Sequence, residues 1–234
     1  MKPLPRAIAA PELLDEPHHD PAELRHSLAH VAAVNRWLGG TRALLRHLTP
    51  YLESANKTRI LDVGTASGDL PRNVARWARS HGCVVEIVAT DVHPQMRQVA
   101  RQRLHDFPEI TIGAADGRAL PYADRSFDIA LLCLTLHHFD EAEQVRIVHE
   151  LARVARRAVL ISELRRTRLN YIGAQLLAQT IWRRNRLTRH DGPLSVLRAF
   201  TADELLGLAR EAGLSGHVHE HYFQRAVLVI DPAR

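Results

Sequence analysis

The chain has 234 residues, 46% of them hydrophobic, with a formal net charge of +5 and an aromatic content of 5%. That length suits one α/β domain with a full core and leaves little room for two. The few aromatic residues offer little for stacking bases, and much of the positive charge sits in one arginine-rich segment, so nucleic acid is not an expected partner.

Residues 1–21 are rich in proline (Pro3, Pro5, Pro11), lack periodicity and read as an extended arm. No leader-like apolar run opens the chain and no run is long enough to span a bilayer, which sets the expectation of a cytoplasmic protein. Cys83 and Cys133 fall in or beside apolar strand patterns and suit buried, reduced thiols. Asp20-Pro21-Ala22-Glu23 is a helix start: an N-cap, proline at the first position, an acid in the first turn. That helix should run to residue 38 and stop at Gly39-Gly40, with Leu24, Leu28, Val31 and Val34 forming its apolar stripe. A second helix is expected over 41–52. His26 and His30 share a helical face but have no third ligand nearby, so they and His18-His19 are expected at the surface, and no metal site is expected.

The stretch Ile60-Leu61-Asp62-Val63-Gly64-Thr65-Ala66-Ser67-Gly68-Asp69 is a buried strand, a small-residue turn and a helix start, the signature of a nucleotide-type cofactor site. Gly64 permits a sharp turn, and Thr65, Ala66 and Ser67 let a ligand approach the main chain. Ala66 is expected to keep a negative φ. Asp91 ends the next strand, where it can accept from a ribose. Strands are predicted over 58–63, 84–90, 110–115, 127–133 and 157–163, and helices over 69–80, 94–106 and 140–155. Apolar strands alternating with amphipathic helices imply a parallel sheet covered on both faces, with ligands at the carboxyl ends of the strands. Gly64, Asp91, Asp116 and Cys133 all fall at such ends.

Beyond the last of these strands, Arg165, Arg166 and Arg168 on one side and Arg183, Arg184, Arg186 and Arg189 on the other flank an apolar helical pattern over 169–182. This reads as a lid over the substrate mouth, with peripheral membrane contact through 165–189 as its second use. His190-Asp191-Gly192-Pro193 is expected to be a turn. Thr201 and Glu204 make a capping box for a helix ending at Gly213. Residues 216–222 and 225–230 read as two short strands, with His217, His219 and His221 on one solvated face.

Four segments, in order and in register, carry a family resemblance. They are Asp62-Val63-Gly64-Thr65-Ala66-Ser67-Gly68-Asp69, Ala89-Thr90-Asp91-Val92-His93-Pro94-Gln95-Met96, Ala114-Ala115-Asp116-Gly117-Arg118-Ala119-Leu120-Pro121-Tyr122, and Ser126-Phe127-Asp128-Ile129-Ala130 leading to Leu136-His137-His138-Phe139. Together they resemble the class I S-adenosylmethionine (SAM)-dependent methyltransferases of small molecules. The one departure is Ala66, where the family turn usually carries a middle glycine.

The resemblance implies a Rossmann-like, doubly wound, seven-stranded, mostly parallel sheet with a C-terminal antiparallel hairpin and an N-terminal helical cap. Residues 1–56 would be arm and cap, and 57–234 the SAM-binding domain with a lid insertion over 164–199. SAM is the implied cofactor and S-adenosylhomocysteine the product. By the same resemblance, Asp62, Gly64, Thr65, Ala66 and Gly68 hold the methionine portion. Asp91 takes the ribose hydroxyls, Val92 and Met96 flank the adenine, and Asp116 accepts from its amino group beside Gly117. Cys133 and Leu134 lie under the methionine, and His138 is counted with the cofactor-binding residues, packing or bonding locally. His137 is the expected general base, oriented by Glu163, with His190 in reserve. The expected reaction is O-methylation of a small phenol or enol, of aromatic polyketide or quinone type, by a monomer or homodimer. A nicotinamide-dependent oxidoreductase should show Gly-x-Gly-x-x-Gly, whereas three residues separate Gly64 from Gly68. An RNA or protein methyltransferase is the other alternative, and no Asn-Pro-Pro-Tyr motif for a flipped base is present.

Overall fold

The computed structural model describes residues 4–7, 10–52 and 56–232. The first three residues of the predicted arm, Pro3 among them, lie outside this set. Seven strands form one sheet: β1 (Thr58–Val63), β2 (Val85–Thr90), β3 (Ile110–Gly113), β4 (Phe127–Cys133), β5 (Ala155–Leu164), β6 (Gly216–His221) and β7 (Arg225–Ile230). Their order is β3-β2-β1-β4-β5-β7-β6. The first five strands are parallel, and β7 inserts antiparallel between β5 and β6.

Eight helices surround the sheet: α1 (Pro21–Trp37), α2 (Gly40–Leu48), α3 (Asp69–Ser80), α4 (Pro94–Arg103), α5 (Glu141–Val154), α6 (Arg168–Gln179), α7 (Arg186–Arg198) and α8 (Ala202–Glu211). Strand side chains alternate between two cores. Leu61, Val63, Leu132 and Ile161 pack with Ile147, Leu151 and Leu205 of α5 and α8. Ile60, Ile87, Leu131 and Leu160 pack with Leu44, Leu48 and Val74 of α2 and α3. The central strands are apolar on both faces because both faces are covered.

Register decides where function can sit. Val63 pairs with Thr90 on one side and Leu132 on the other, and Cys133 pairs with Ser162. The residues that follow, Gly64, Asp91 and Leu134, therefore leave the sheet along one edge. Strand order reverses direction at β1, which makes the β1–β4 crevice the topological switch point where open α/β sheets bind ligands.

Most predicted boundaries hold within a few residues; β3 ends two residues early, at Gly113. Three expectations fail. The first is the turn at His190–Pro193, which lies inside α7. Pro193 forfeits a helical hydrogen bond, yet Asn185 caps the helix by accepting from the Thr188 N–H (2.8 Å). The Asp191 carboxylate accepts the N–H groups of Leu13 and Leu14 (2.8 and 2.9 Å), so tertiary bonds hold the helix through the proline. The second is His19, which is buried: its ring bonds the Leu14 carbonyl and its backbone N–H bonds Gln95. The arm thus folds back through a short 3₁₀ turn at Leu13–Asp15 rather than extending.

The third is the backbone at Ala66. Its φ is +47°, between Gly64 at +71° and Gly68 at +74°. The turn demands this alternation. The Thr65 N–H bonds the Thr90 carbonyl (2.8 Å), and the Ala66 N–H reaches the Asp91 carboxylate (2.9 Å). A left-handed alanine is strained by roughly 1–2 kcal/mol. Gly64 cannot be replaced in the same way, because a Cβ there would lie 2.5 Å from Thr135 Oγ1. Ala66→Gly should therefore raise the unfolding free energy, by about 0.5–1 kcal/mol once the greater freedom of unfolded glycine is counted. Urea denaturation of the two proteins checks this; a less stable glycine variant would show that the turn is not strained.

Candidate active site

A cavity of about 1670 Å³ opens at the carboxyl ends of the parallel strands. Its floor comprises the Asp62–Asp69 turn, Asp91 to His93, Met96, Ala115 to Arg118, and Leu132 to Thr135. Its roof comprises α1, the arm at Glu12 to Asp15, α6, α7 and the β6–β7 hairpin. A drug-sized ligand takes roughly 300–1,000 Å³ of pocket, so this chamber has room for two molecules side by side.

One half collects the residues expected to meet a cofactor. Asp62 is fully buried, and its Oδ2 has no hydrogen-bond partner. Burial pushes its carboxyl up to about 7. Asp91 receives the N–H groups of Ala66 (2.9 Å) and His93 (2.8 Å), and burial raises its pKa. Met96 is buried against Leu24 and Leu28 of α1, whereas Val92 is exposed on the rim. The Asp116 carboxylate is forked by Arg118 (2.7 Å), which holds its pKa below the usual carboxylate range, and Arg118 also reaches Glu143. That partner was not foreseen. A Cβ on Gly117 would crowd Val63 at 3.3 Å. Burial pushes the Cys133 thiol up to about 12, so it is an inert lining group, and Leu134 turns away at φ +51°. Thr65 and Ser67 are buried in the same turn.

The other half is built around a buried acid. Glu163, at the end of β5, has no exposed surface. Its Oε1 accepts the Leu136 N–H (2.8 Å), and its Oε2 lies 2.8 Å from His137 Nδ1. The Arg198 guanidinium donates to the His137 carbonyl (2.9 Å). His137 is thereby fixed at both ends, with Nε2 3.6 Å from the Glu12 carboxylate. His138 stacks on His137 and bonds Asp15 through Nδ1 at 2.8 Å. Burial opposes its charged form, but Glu12 and Asp15 outweigh it and raise His138 to about 9.

His138 therefore faces the arm rather than the cofactor half. His190 is half-exposed, bonds its neighbour Asp191 (2.8 Å) and does not line the chamber, which removes it as a reserve base. Glu12, Asp15, Asp191, Arg198 and Arg225 were missed. The two arm acids have only one sequence signal, the Leu13-Leu14 pair between them in an otherwise patternless stretch. Arg225 is buried beside the chamber; Nη2 donates to Asn35 Oδ1 (3.0 Å), while Nε and Nη1 have no partner. Burial lowers its pKa. His219 and His221 share a strand face as expected, but His47 of α2 meets both, at ring separations of 4.3 and 5.0 Å.

The segment over 164–199 covers the mouth: Leu169, Gly173, Ala174, Leu177 and Trp182 line the chamber from above. Its arginines are only partly free. Arg165 pairs with Glu220, Arg166 with Glu204, and Arg186 with Glu16 and Glu23. Among the described residues no helix is long and apolar enough to cross a membrane.

These features fit SAM. The glycine at Gly64 keeps the crevice open, and the orphaned Asp62 oxygen calls for a cationic or N–H donor from a ligand.

Residues 60–158 match the family described as a methyltransferase domain. The chain is 30% identical over 137 residues to the ubiquinone/menaquinone biosynthesis C-methyltransferase UbiE of Laribacter hongkongensis, covering 57% of this chain and 54% of that protein. It is 32% identical over 112 residues to the demethylmenaquinone methyltransferase of Thermotoga maritima, covering 48% and 45%. The chain thus spans about half the length of the curated relatives it matches. Among solved structures it superposes on a SAM-dependent methyltransferase from Aquifex aeolicus with a TM-score of 0.63 at 16% identity, covering 91% of this chain and 98% of that one. The CurJ carbon methyltransferase gives a TM-score of 0.67 at 12% identity, covering 92% and 62%. Sheet order, the Asp62–Gly68 turn and the matched segment agree: residues 60–158 carry a methyltransferase domain, on the fold of the SAM-dependent methyltransferases.

Proposed function

We propose that the chain methylates a small phenol or enol, of quinone-precursor or aromatic polyketide type, and that His137 activates this acceptor. The observation that carries the reading is a chamber with room for two ligands, lined by His137, whose Nε2 lies 3.6 Å from the Glu12 carboxylate.

Asp62 and the turn from Gly64 to Gly68 would hold the methionine end of SAM, with the Asp62 carboxylate meeting the ammonium group. Asp91 has lone pairs left for the ribose, and Met96, Val92, Asp116 and Gly117 would border the adenine. Cys133 and Leu134 would lie beneath the methionine. When bound, SAM would supply a methyl carbon made electrophilic by its sulfonium, with S-adenosylhomocysteine as the leaving group.

Glu163 accepts only, so in the neutral ring His137 Nδ1 donates to it and Nε2 carries the lone pair. That lone pair takes the acceptor proton. The resulting phenolate or enolate carries charge on oxygen and on the adjacent carbon, so one activating residue serves either position. O-methylation at the activated oxygen is the direct outcome; similarity to curated ubiquinone/menaquinone biosynthesis C-methyltransferases favours the carbon. Apolar Leu28, Val31, Leu169, Ala174 and Leu177 suit a hydrophobic acceptor, and the buried Arg225 suits an anionic oxygen on it. Leu169, Ile172 and Leu176 leave an apolar stripe exposed on α6, which supports delivery of a lipophilic acceptor from a membrane surface.

His137→Ala should lower turnover by about 10²–10⁴-fold and leave SAM affinity nearly unchanged. Single-turnover kinetics beside calorimetric SAM titration separate the two; undiminished turnover would remove His137 from the reaction. Mass spectrometry and NMR of the product assign the methyl to oxygen or carbon. Asp62 gives a pH signature. In the free protein its carboxyl titrates at about 7, and a cationic ligand favours the ionised form, so binding expels a proton below that pH. SAM affinity should fall roughly tenfold per pH unit below 7 and be nearly flat just above it. Asp62→Asn should lose this dependence; a wild-type affinity that ignores pH would contradict the assignment.

A further inference from the structure

The acceptor end of the chamber holds a set of donors that acid–base chemistry alone does not use. Glu12, His137 and His138 each present one donor atom, and all three atoms lie within 4.8 Å of one another. His137 Nε2 is 3.6 Å from Glu12 Oε1, and His138 Nε2 is 3.9 Å from Glu12 Oε2. Each imidazole is anchored through its other nitrogen by its own carboxylate, Glu163 for His137 and Asp15 for His138, both at 2.8 Å. A carboxylate can only accept, so both Nδ1 atoms donate and both Nε2 atoms face the same carboxylate; a cation bound there would displace any proton on them.

We propose that Glu12, His137 and His138 bind a divalent transition-metal cation, Zn(II) or Fe(II) by chemistry, at the acceptor end of the chamber. Two histidines and one carboxylate with the remaining positions open form the donor set of catalytic rather than structural sites. Carboxylates on the outer nitrogens of metal-bound histidines are the usual second layer of such sites; they set the tautomer and raise ligand basicity. Ligand atoms about 2.0–2.2 Å from one ion sit closer together than these three do, and small side-chain rotations would close the gap. Three acids, Glu12, Asp15 and Glu163, border the site; Arg198 lies 3.8 Å from Glu12 Oε1, and Arg6 and Arg225 act on Glu163 from further off. Ser195 donates to that same oxygen (3.0 Å), which leaves Oε2 for the cation. All three ligands line the chamber, so the open positions face the acceptor.

The site rests on the acceptor position argued above and puts the cation in place of direct proton transfer to His137. An acceptor hydroxyl bound to the cation is acidified, and its proton leaves to water rather than to His137. The arm becomes part of the catalytic end, because it delivers Glu12.

The test is equilibrium dialysis of the full chain, stripped with a chelator, against Zn(II), with Co(II) as a spectroscopic substitute and SAM titration in parallel. The expected result is one Zn(II) per chain and the visible bands of low-coordinate Co(II). Glu12→Gln should weaken Zn(II) at least tenfold. Asp15→Asn, which touches no ligand atom, should weaken it by about 10–100-fold. Absence of tight Zn(II) binding to a folded wild-type chain that still binds SAM would overturn the site and leave His137 as the base. Wild-type Zn(II) affinity in both variants would also overturn it. Loss of SAM binding by the stripped but folded wild-type chain would instead count against the proposed function.

Discussion

The active end of this domain depends on a carboxylate that never meets water. Glu163 is placed by β5 with no exposed surface, and an unpaired charge there would be prohibitive. It is held by the Leu136 N–H, which fixes the loop leaving β4, and by His137 Nδ1, which fixes the imidazole, with longer bonds from the His137 and Leu164 N–H groups. Those bonds set the tautomer of His137 and aim Nε2 into the chamber. Removing the acid would free the loop and the ring together, since the same two oxygens hold both.

The cofactor half is held by a comparable economy at Asp91. Its carboxylate stabilises a left-handed Ala66 on one strand connection and the start of α4, through the His93 N–H, on the next. Residues from two βα turns are thereby locked into one wall. The roof is assembled from segments far apart in the chain. The arm, α1 and α7 are tied by Asp191 to Leu13 and Leu14, by Asn185 to the Glu23 carbonyl, and by Thr188 to Ser27. Arm, cap and the 164–199 segment therefore roof the chamber over the sheet edge.

Much of the sheet was legible because strand burial writes itself as apolar runs, and the turn at Gly64 announced its own chemistry. Glu163 and His137 could be paired from the ends of adjacent strands. Other features were not legible for specific reasons. Glu12 and Asp15 sit in a proline-rich arm without periodicity, so nothing local marks them as buried. Pro193 and Gly192 read as a turn, because the bonds that carry α7 through them come from the arm. An alanine does not announce a positive φ; the glycine usual at that place in the family turn was the only pointer to the conformation that Ala66 adopts beside Asp91. His138 and His19 owe their environments to the same folded-back arm. In each case the missing information was a long-range contact, and most of those contacts involve the first twenty residues.

The most direct test of the account is a crystal structure of the chain grown with S-adenosylhomocysteine and a phenolic ligand. The account predicts the nucleoside against Asp91 and Met96, the amino acid end against Asp62, and the phenol oxygen at the His137–Glu12 end of the same chamber. A homocysteine analogue seated elsewhere, or a phenol held away from His137, would contradict it.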